Sequence, residues 1–422
     1  MDYEAAADLL DFIEKSPTAF QAVEEVRQRL LWEGFTELSE KERWELRRGG
    51  NYFVTRNHSA LIAFSIPEAD IYQFHIIASH SDSPTFKIKE NPEMLVENAY
   101  VKLNVEKYGG MLLAPWFDRP LSVAGRVIVR ENGTLKEKLV CVDRDLLVIP
   151  NLAIHMNREV NSGYSYNIQK DLLPLYGGVE AKDSFFGLIA KAAGVNQEDI
   201  LGHDLFLYNR DKGSVWGAQS EFVSAPRLDD LQCAFASLCG FLNGQRKESI
   251  AVYCVLDNEE VGSSTKQGAA STFLKDTLLR LNGSLGRSYE EYLMTLAGSF
   301  MISADNAHAM HPNYVEKADP VNRPVINQGI VIKYNANQKY CTDGVSAAYF
   351  KQLCEKAEAP YQTFVNRSDV AGGSTLGNIS NTQAAMNTVD IGLPQLSMHS
   401  AFETAGVKDT WYLLKAAEEF YC

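Results

Sequence analysis

The sequence is poor in cysteine for its length, and the few it has form no pattern that does chemistry. Seven thiols (Cys141, Cys233, Cys239, Cys254, Cys341, Cys354 and Cys422) are scattered over 422 residues. There are no CxxC pairs and nothing like the density of a disulfide-stapled scaffold, so a reducing, cytoplasmic compartment is expected. Long hydrophobic runs are missing too, and no stretch approaches the length of a membrane span. The opening Met1-Asp2-Tyr3-Glu4 lacks the basic start and apolar run of a secretory signal. Positive charge is in deficit: 40 basic against 54 acidic residues leave a formal charge of −14, a field that repels nucleic-acid phosphates and anionic lipid surfaces. Neither nucleic acid nor membrane is expected as a partner. GxGxxG, GxxxxGK[ST] and GxSxG are all absent, so dinucleotide, phosphate-loop and serine-hydrolase chemistry lack their usual signatures.

What remains is an ordinary globular composition, with 45% hydrophobic and 22% charged residues, which excludes wholesale disorder and collagen-like folds. The length suggests two or three domains. The first segment reads as helical; Ser16-Pro17 then divides it from a second helix, with Ser16 as N-cap, Pro17 at the first helical position and Gly34 as the stop. Strand patterns follow at 60–64 and 74–78. From about Phe86 to Val223 the texture changes to short β-like runs such as 122–129, with Asn132-Gly133 signalling a hairpin turn. Helix-like and buried-strand patterns then return: helices over 231–242, 271–281, 345–357 and 408–420, and the continuous apolar run 250–256, of the kind a central strand needs when both faces are covered. The expected fold is therefore α/β, a mixed-sheet domain (1–85 and 224–422) interrupted by a smaller β-rich insertion (86–223).

Four polar clusters follow apolar runs. In Ser79-His80-Ser81-Asp82, residues two apart on an extended segment point the same way, so Asp82 can approach the His80 ring while the other ring nitrogen binds a metal; a plain hydrogen-bonded pair is the alternative. Arg227-Leu228-Asp229-Asp230 leads into a helix, where carboxylates complement the dipole without needing any other role. Asp257-Asn258-Glu259-Glu260 follows the most apolar strand, at the kind of strand end where open α/β sheets bind ligands. Ser303 to Pro312 offers Asp305, His308 and His311, and Met398-His399-Ser400 adds a further imidazole. The chain holds only eight histidines, so their position beside carboxylates at strand ends is informative. Two zinc ions about 3.5–4 Å apart need a bridging carboxylate and terminal His and carboxylate ligands around an activated water. His80, Asp229, Glu260, Asp305 and His399 can supply the ligands, Glu259 the general base and Asp82 the support.

At these residues the sequence resembles the aspartyl aminopeptidase family, over nearly its whole length. The resemblance runs through SHSDSP at 79–84, YGGMLLAPWFDRPLSVAGRV at 108–127, LAIH at 152–155, PRLDDL at 226–231, DNEEVGS at 257–263, SADNAHAMHPNY at 303–314, NQGIVIKYNANQKY at 327–340 and MHS at 398–400. It implies a zinc-peptidase-like mixed-sheet catalytic domain, with the insertion acting as a dimerisation domain. It also implies that His80 and Asp305 bind one zinc, Glu260 and His399 the other, and Asp229 both, with Asp82 and Glu259 at catalytic positions and a cis peptide after Asp229. His155 matches a histidine that a neighbouring subunit lends to stabilise the oxyanion. The implied protein is a cytoplasmic metalloaminopeptidase acting on short peptides and assembled as a homo-oligomer, a dodecamer built from dimers. Its cofactor is two divalent ions, zinc first, with cobalt or manganese compatible with the same donors. Lys333 is the candidate partner for an acidic first side chain, the alternative being a surface lysine. A related di-zinc amidohydrolase acting on N-acyl amino acids and a non-catalytic assembly protein are the competing readings.

Overall fold

The run Ile250–Leu256 forms a strand buried along its whole length, and it sits inside a nine-stranded mixed sheet. Across that sheet the strands are Thr36–Leu38, Asn51–Arg56, Ala60–Ser65, Ile250–Leu256, Phe74–His80, Phe300–Ala304, Asn387–Gly392, Ile330–Tyr334 and Tyr361–Val365. The four in the middle, Ile250–Leu256 to Asn387–Gly392, are mutually parallel. Parallel strands covered on both faces need apolar side chains on both faces, which is why these segments read as continuous rather than alternating apolar runs. One face packs under the helices Asp2–Lys15, Ala19–Trp32, Leu228–Asn243, Gly344–Lys356 and Val407–Phe420, with Phe12, Phe235, Tyr253 and Phe420 in one core. The other face packs under Phe273–Ser284 and Tyr289–Ala297, with Phe64, Phe74 and Phe273 in a second. Each fully buried Val, Leu or Phe contributes about 1.5–3 kcal/mol.

This computed structural model describes residues 2–422, and the chain divides into two compact units. The first comprises the residues up to Asp82, Gly213–Met398 and Glu403–Cys422; the second comprises Ser83–Lys212 with His399–Phe402. The second unit is built on a six-stranded sheet of its own. Its strands Leu121–Glu131 and Thr134–Cys141 pair antiparallel around Asn132 and Gly133. Both turn residues have positive φ, 51° and 75°, the conformation a two-residue hairpin with the native twist requires. Segment 399–402 belongs here: the His399 carbonyl accepts the Leu112 N–H at 3.0 Å, and Ala401 joins the core around Phe86, Trp116 and Phe185.

The expected helices are present as Leu228–Asn243, Phe273–Ser284, Gly344–Lys356 and Val407–Phe420. The start of the second helix differs from expectation. It begins at Ala19, and the residue before it, Thr18, has the extended dihedrals of an N-cap (φ −143°, ψ 171°). Ser16 and Pro17 instead form the link between helices, because a residue before proline is pushed out of the helical region. A third, five-stranded sheet in the first unit, made of strands of two to four residues, is too short in its elements to leave a period in the sequence. Among the described residues no helix is long and apolar enough to cross a membrane.

Candidate metal centre

Three of the parallel strands end level with one another and deliver the polar clusters to one edge of the sheet. His80 is the last residue of its strand and sits opposite Leu256, so the turn Asp257–Glu260 starts beside the imidazole. Ser303 sits opposite Ala78, which places Asp305 level with His80. The glycine at the end of the next strand, Gly392, is required: a Cβ there would collide with the Asp305 carbonyl. Asp229 and Asp230 arrive from the helix side. They open the segment Leu228–Asn243 with non-helical dihedrals and are joined by a cis peptide bond, as the family resemblance implies.

Donor atoms of His80, Asp229, Asp230 and Asp305 lie within 4.8 Å of one another, and so do donors of His80, Glu259 and Glu260. His80 Nε2 is 3.5 Å from Asp229 Oδ1. On its other side the ring is fixed by Asp82, though mainly through the backbone: Nδ1 is 3.0 Å from the Asp82 carbonyl oxygen and 3.5 Å from Oδ1. A donor Nδ1–H there turns Nε2 toward the carboxylates. Burial works against a charged ring, but Asp229 and Asp82 raise its affinity for a proton well above the ordinary histidine value; with a cation in place Nε2 would present its lone pair instead. The Asp82 carboxylate is used differently, accepting the main-chain N–H of Glu259 at 3.1 Å and of Glu260 at 3.2 Å. The Asp229 N–H is held by Glu403 Oε2 at 3.0 Å. Asn306 ties the Asp305 strand end to the Asp229 turn, its Nδ2 donating to the Leu228 carbonyl, Gln232 and Gln395.

The electrostatics are those of a buried site in which carboxylates outnumber the basic groups, His80 and the Lys333 ammonium 3.7 Å from Asp305. Burial raises the carboxyl groups of Asp230, Glu260 and Asp305 above the ordinary range, and neighbouring carboxylates add to the shift. Burial likewise pushes Glu259 up to about 7, with Asp305, Asp82 and Asp229 adding and His80 opposing. Six carboxyl groups crowded around one imidazole repel one another, and a divalent cation is the partner that would relieve this. The donors are nitrogen and oxygen without thiolate, the set that suits zinc and also accepts cobalt or manganese. Cys233, the nearest thiol, is buried and donates to Asn306 Oδ1 at 2.9 Å. The residues present therefore fit the metal their pattern implies.

The family model for the aminopeptidase I zinc metalloproteases (M18) matches residues 12–421. The chain belongs to the M18 aminopeptidases. A probable M18 family aminopeptidase 2 of Clostridium acetobutylicum is 50% identical over 428 residues, covering 100% of this chain and 99% of that protein. A structure of Ape4 in its complex with Nbr1 matches with a TM-score of 0.96 at 37% identity, over 100% of this chain and 86% of that one. The mApe1 dodecamer of Saccharomyces cerevisiae matches with a TM-score of 0.86 at 27% identity, over 99% and 96%. This M18 enzyme is thus a zinc-dependent aminopeptidase on a mixed α/β fold.

Within the M18 chain, the first unit brings together His80, Asp82, Asp229, Glu259, Glu260 and Asp305 of the sequence-derived set. His308 and His311 are not among the grouped donors. Lys333 is no surface residue: it is buried, its Nζ donates to the Asn306 carbonyl at 2.8 Å and lies 3.7 Å from Asp305 Oδ1. Burial works to lower its affinity for a proton, but Asp305, Tyr340 and Asp390 raise it above the ordinary lysine value, so it stays charged. His155 and His399 lie in the second unit. His155 is exposed on the loop that follows Asn151, which is anchored through two hydrogen bonds to Asp118. Sequence reasoning gave no distinct role to Asp230, Asn306 or Glu403. A carboxylate at a helix start has a sufficient explanation in the helix dipole, and the other two act only through contacts with distant segments.

Proposed function

We propose that this M18 aminopeptidase removes single residues from the free N-termini of short peptides. In this reading His80 and Asp305 hold one divalent ion, Glu260 and His399 a second, and Asp229 both. The observation that carries it is the arrival of His80, Asp229, Glu259, Glu260 and Asp305 at one sheet edge, their donors falling into two groups that share His80, His80 with Asp229 and Asp305 and His80 with Glu259 and Glu260, each within 4.8 Å. Zinc, when bound, supplies Lewis acidity toward the scissile carbonyl and lowers the pKa of the attacking water. Glu259 takes the proton of that water and returns it to the departing amine, a task suited to a carboxyl whose burial brings it to about 7. Asp82 orients both the His80 ring and the Glu259–Glu260 turn.

An acidic first residue is the finer reading, and Lys333 supports it. Its buried ammonium has three N–H donors, one of which goes to the Asn306 carbonyl, leaving donors for a substrate carboxylate. The second unit, predicted as 86–223, serves as the dimerisation domain and lends His155 to the neighbouring site. Leu152, Ile154 and Met156, 54%, 47% and 70% exposed on either side of His155, give that loop the apolar surface an interface would cover. A homo-oligomer in the cytoplasm, of the dodecameric kind named for the yeast relative, completes the proposal.

The test is a panel of aminoacyl and peptide substrates assayed with zinc, cobalt or manganese after exhaustive chelation. The expected result is turnover that returns with metal, requires a free amino terminus and is highest on Asp- and Glu-initiated peptides. Efficient hydrolysis of N-acyl amino acids would overturn the proposal. Light scattering of the purified chain would show a dodecamer, and a stable monomer would remove the role of His155.

A further inference from the structure

One carboxylate in the donor group has no place in the ligand assignment above. Asp230 is fully buried. Its Oδ2 accepts the main-chain N–H of His80 at 3.1 Å, while its Oδ1 takes no hydrogen bond among the described residues, the weakly donating thiol of the buried Cys233 being the carboxylate's other polar neighbour. The same side chain contributes a donor atom to the group formed by His80, Asp229 and Asp305. A carboxylate that served only as a hook for the His80 backbone would need one acceptor atom and no charge, and its second oxygen would normally find a buried donor. An unpartnered anionic oxygen beside three metal-ligating side chains is instead costly until a cation arrives.

We propose that Asp230 is a positioning residue that fixes the His80 backbone and supplies the charge retaining the metal on the His80–Asp305 side, without being a ligand. The inference rests on the metal assignment made above and deepens it. Removing the charge while keeping the shape therefore weakens metal retention more than it disturbs the fold, since the amide oxygen of an asparagine can still accept the His80 N–H.

The experiment compares wild type and Asp230→Asn, each stripped and reloaded with zinc, by metal analysis across a chelator series and by thermal melting with and without zinc. Asp230→Asn should lose zinc at chelator concentrations lower by about tenfold or more, the effect of deleting one nearby charge in a poorly solvated site. Its metal-free form should melt at or above the wild-type temperature, because mutual repulsion is reduced, while its stabilisation by zinc shrinks. Zinc retention equal to wild type, or a melting temperature lowered equally with and without zinc, would leave Asp230 a backbone hook and overturn the proposal. A wild type that binds no zinc would overturn the metal assignment as well, which separates the two failures. Should the variant not fold, an anomalous-scattering map of zinc-loaded wild type decides: Asp230 Oδ1 facing the ion held by His80 from beyond bonding distance supports the proposal, and Oδ1 turned away from the ion or bonded to it ends it.

Discussion

Asp82 Oδ1 accepts the main-chain N–H of Glu259 at 3.1 Å, across 177 residues of sequence. Its other oxygen takes the N–H of Glu260, so one carboxylate sets the orientation of both the proposed base and a proposed ligand. Two charge-assisted hydrogen bonds to a strand-end turn are worth about 1.5–3 kcal/mol each, enough to choose one turn geometry over another. Asp82→Ala should lower kcat by about a hundredfold or more, since the base loses its aim rather than its charge. Asp82→Asn, which keeps one acceptor, should fall between. Steady-state kinetics of the three proteins check this; an unchanged kcat in Asp82→Ala would show that the turn holds itself.

Glu259→Gln keeps the side-chain volume and the N–H given to Asp82, and deletes only the proton acceptor. The expected outcome is a kcat lower by at least about a hundredfold with KM and zinc content close to wild type. Activity assays paired with metal analysis separate this from loss of the ion, which would lower both together.

Much of the first unit was legible because its period is simple. The apolar run at 250–256 reads as a central strand covered on both faces and 74–78 as a strand, and their ends located Glu259 and His80. The reading was coarser where the chain leaves regular structure. Alternation put the Asp82 side chain beside His80, but the strand stops at His80. Beyond it the two-residue period no longer applies, the carbonyl of Asp82 becomes the ring's nearer partner, and the carboxylate turns to another segment. Asp230 was hidden by an adequate local explanation, the helix dipole. Asn306 and Glu403 have no local signal, because their partners lie more than 70 residues away.

Lys333 separates substrate recognition from general site integrity. If its spare donors receive an acidic first side chain, Lys333→Met removes a buried, charge-assisted contact that Leu-initiated peptides never make. The expected result is a kcat/KM reduced by about tenfold or more on Asp- and Glu-initiated substrates, with a much smaller loss on Leu-initiated ones. Equal losses on all substrates would assign Lys333 to holding Asp305 alone.

Asp409, which is not among the grouped donors, gives the fold a pH dependence of its own. It is buried, its Oδ2 accepts the Asn327 N–H at 2.7 Å and its Oδ1 the Gly329 N–H at 3.1 Å, tying the last helix to the loop that leads into the Lys333 strand. Burial raises its carboxyl to about 7, although both amides and Lys408 pull the other way. An acid whose folded pKa lies above its unfolded value of about 4 binds a proton more tightly when folded. Its contribution is therefore fully present below pH 4 and declines as pH rises toward 7. Asp409→Ala should accordingly be more destabilising at pH 5 than at pH 8, by on the order of 1–3 kcal/mol. Urea unfolding of both proteins at the two pH values measures that difference. A larger loss at pH 8 would mean that the two amide hydrogen bonds outweigh burial and hold the carboxylate ionised.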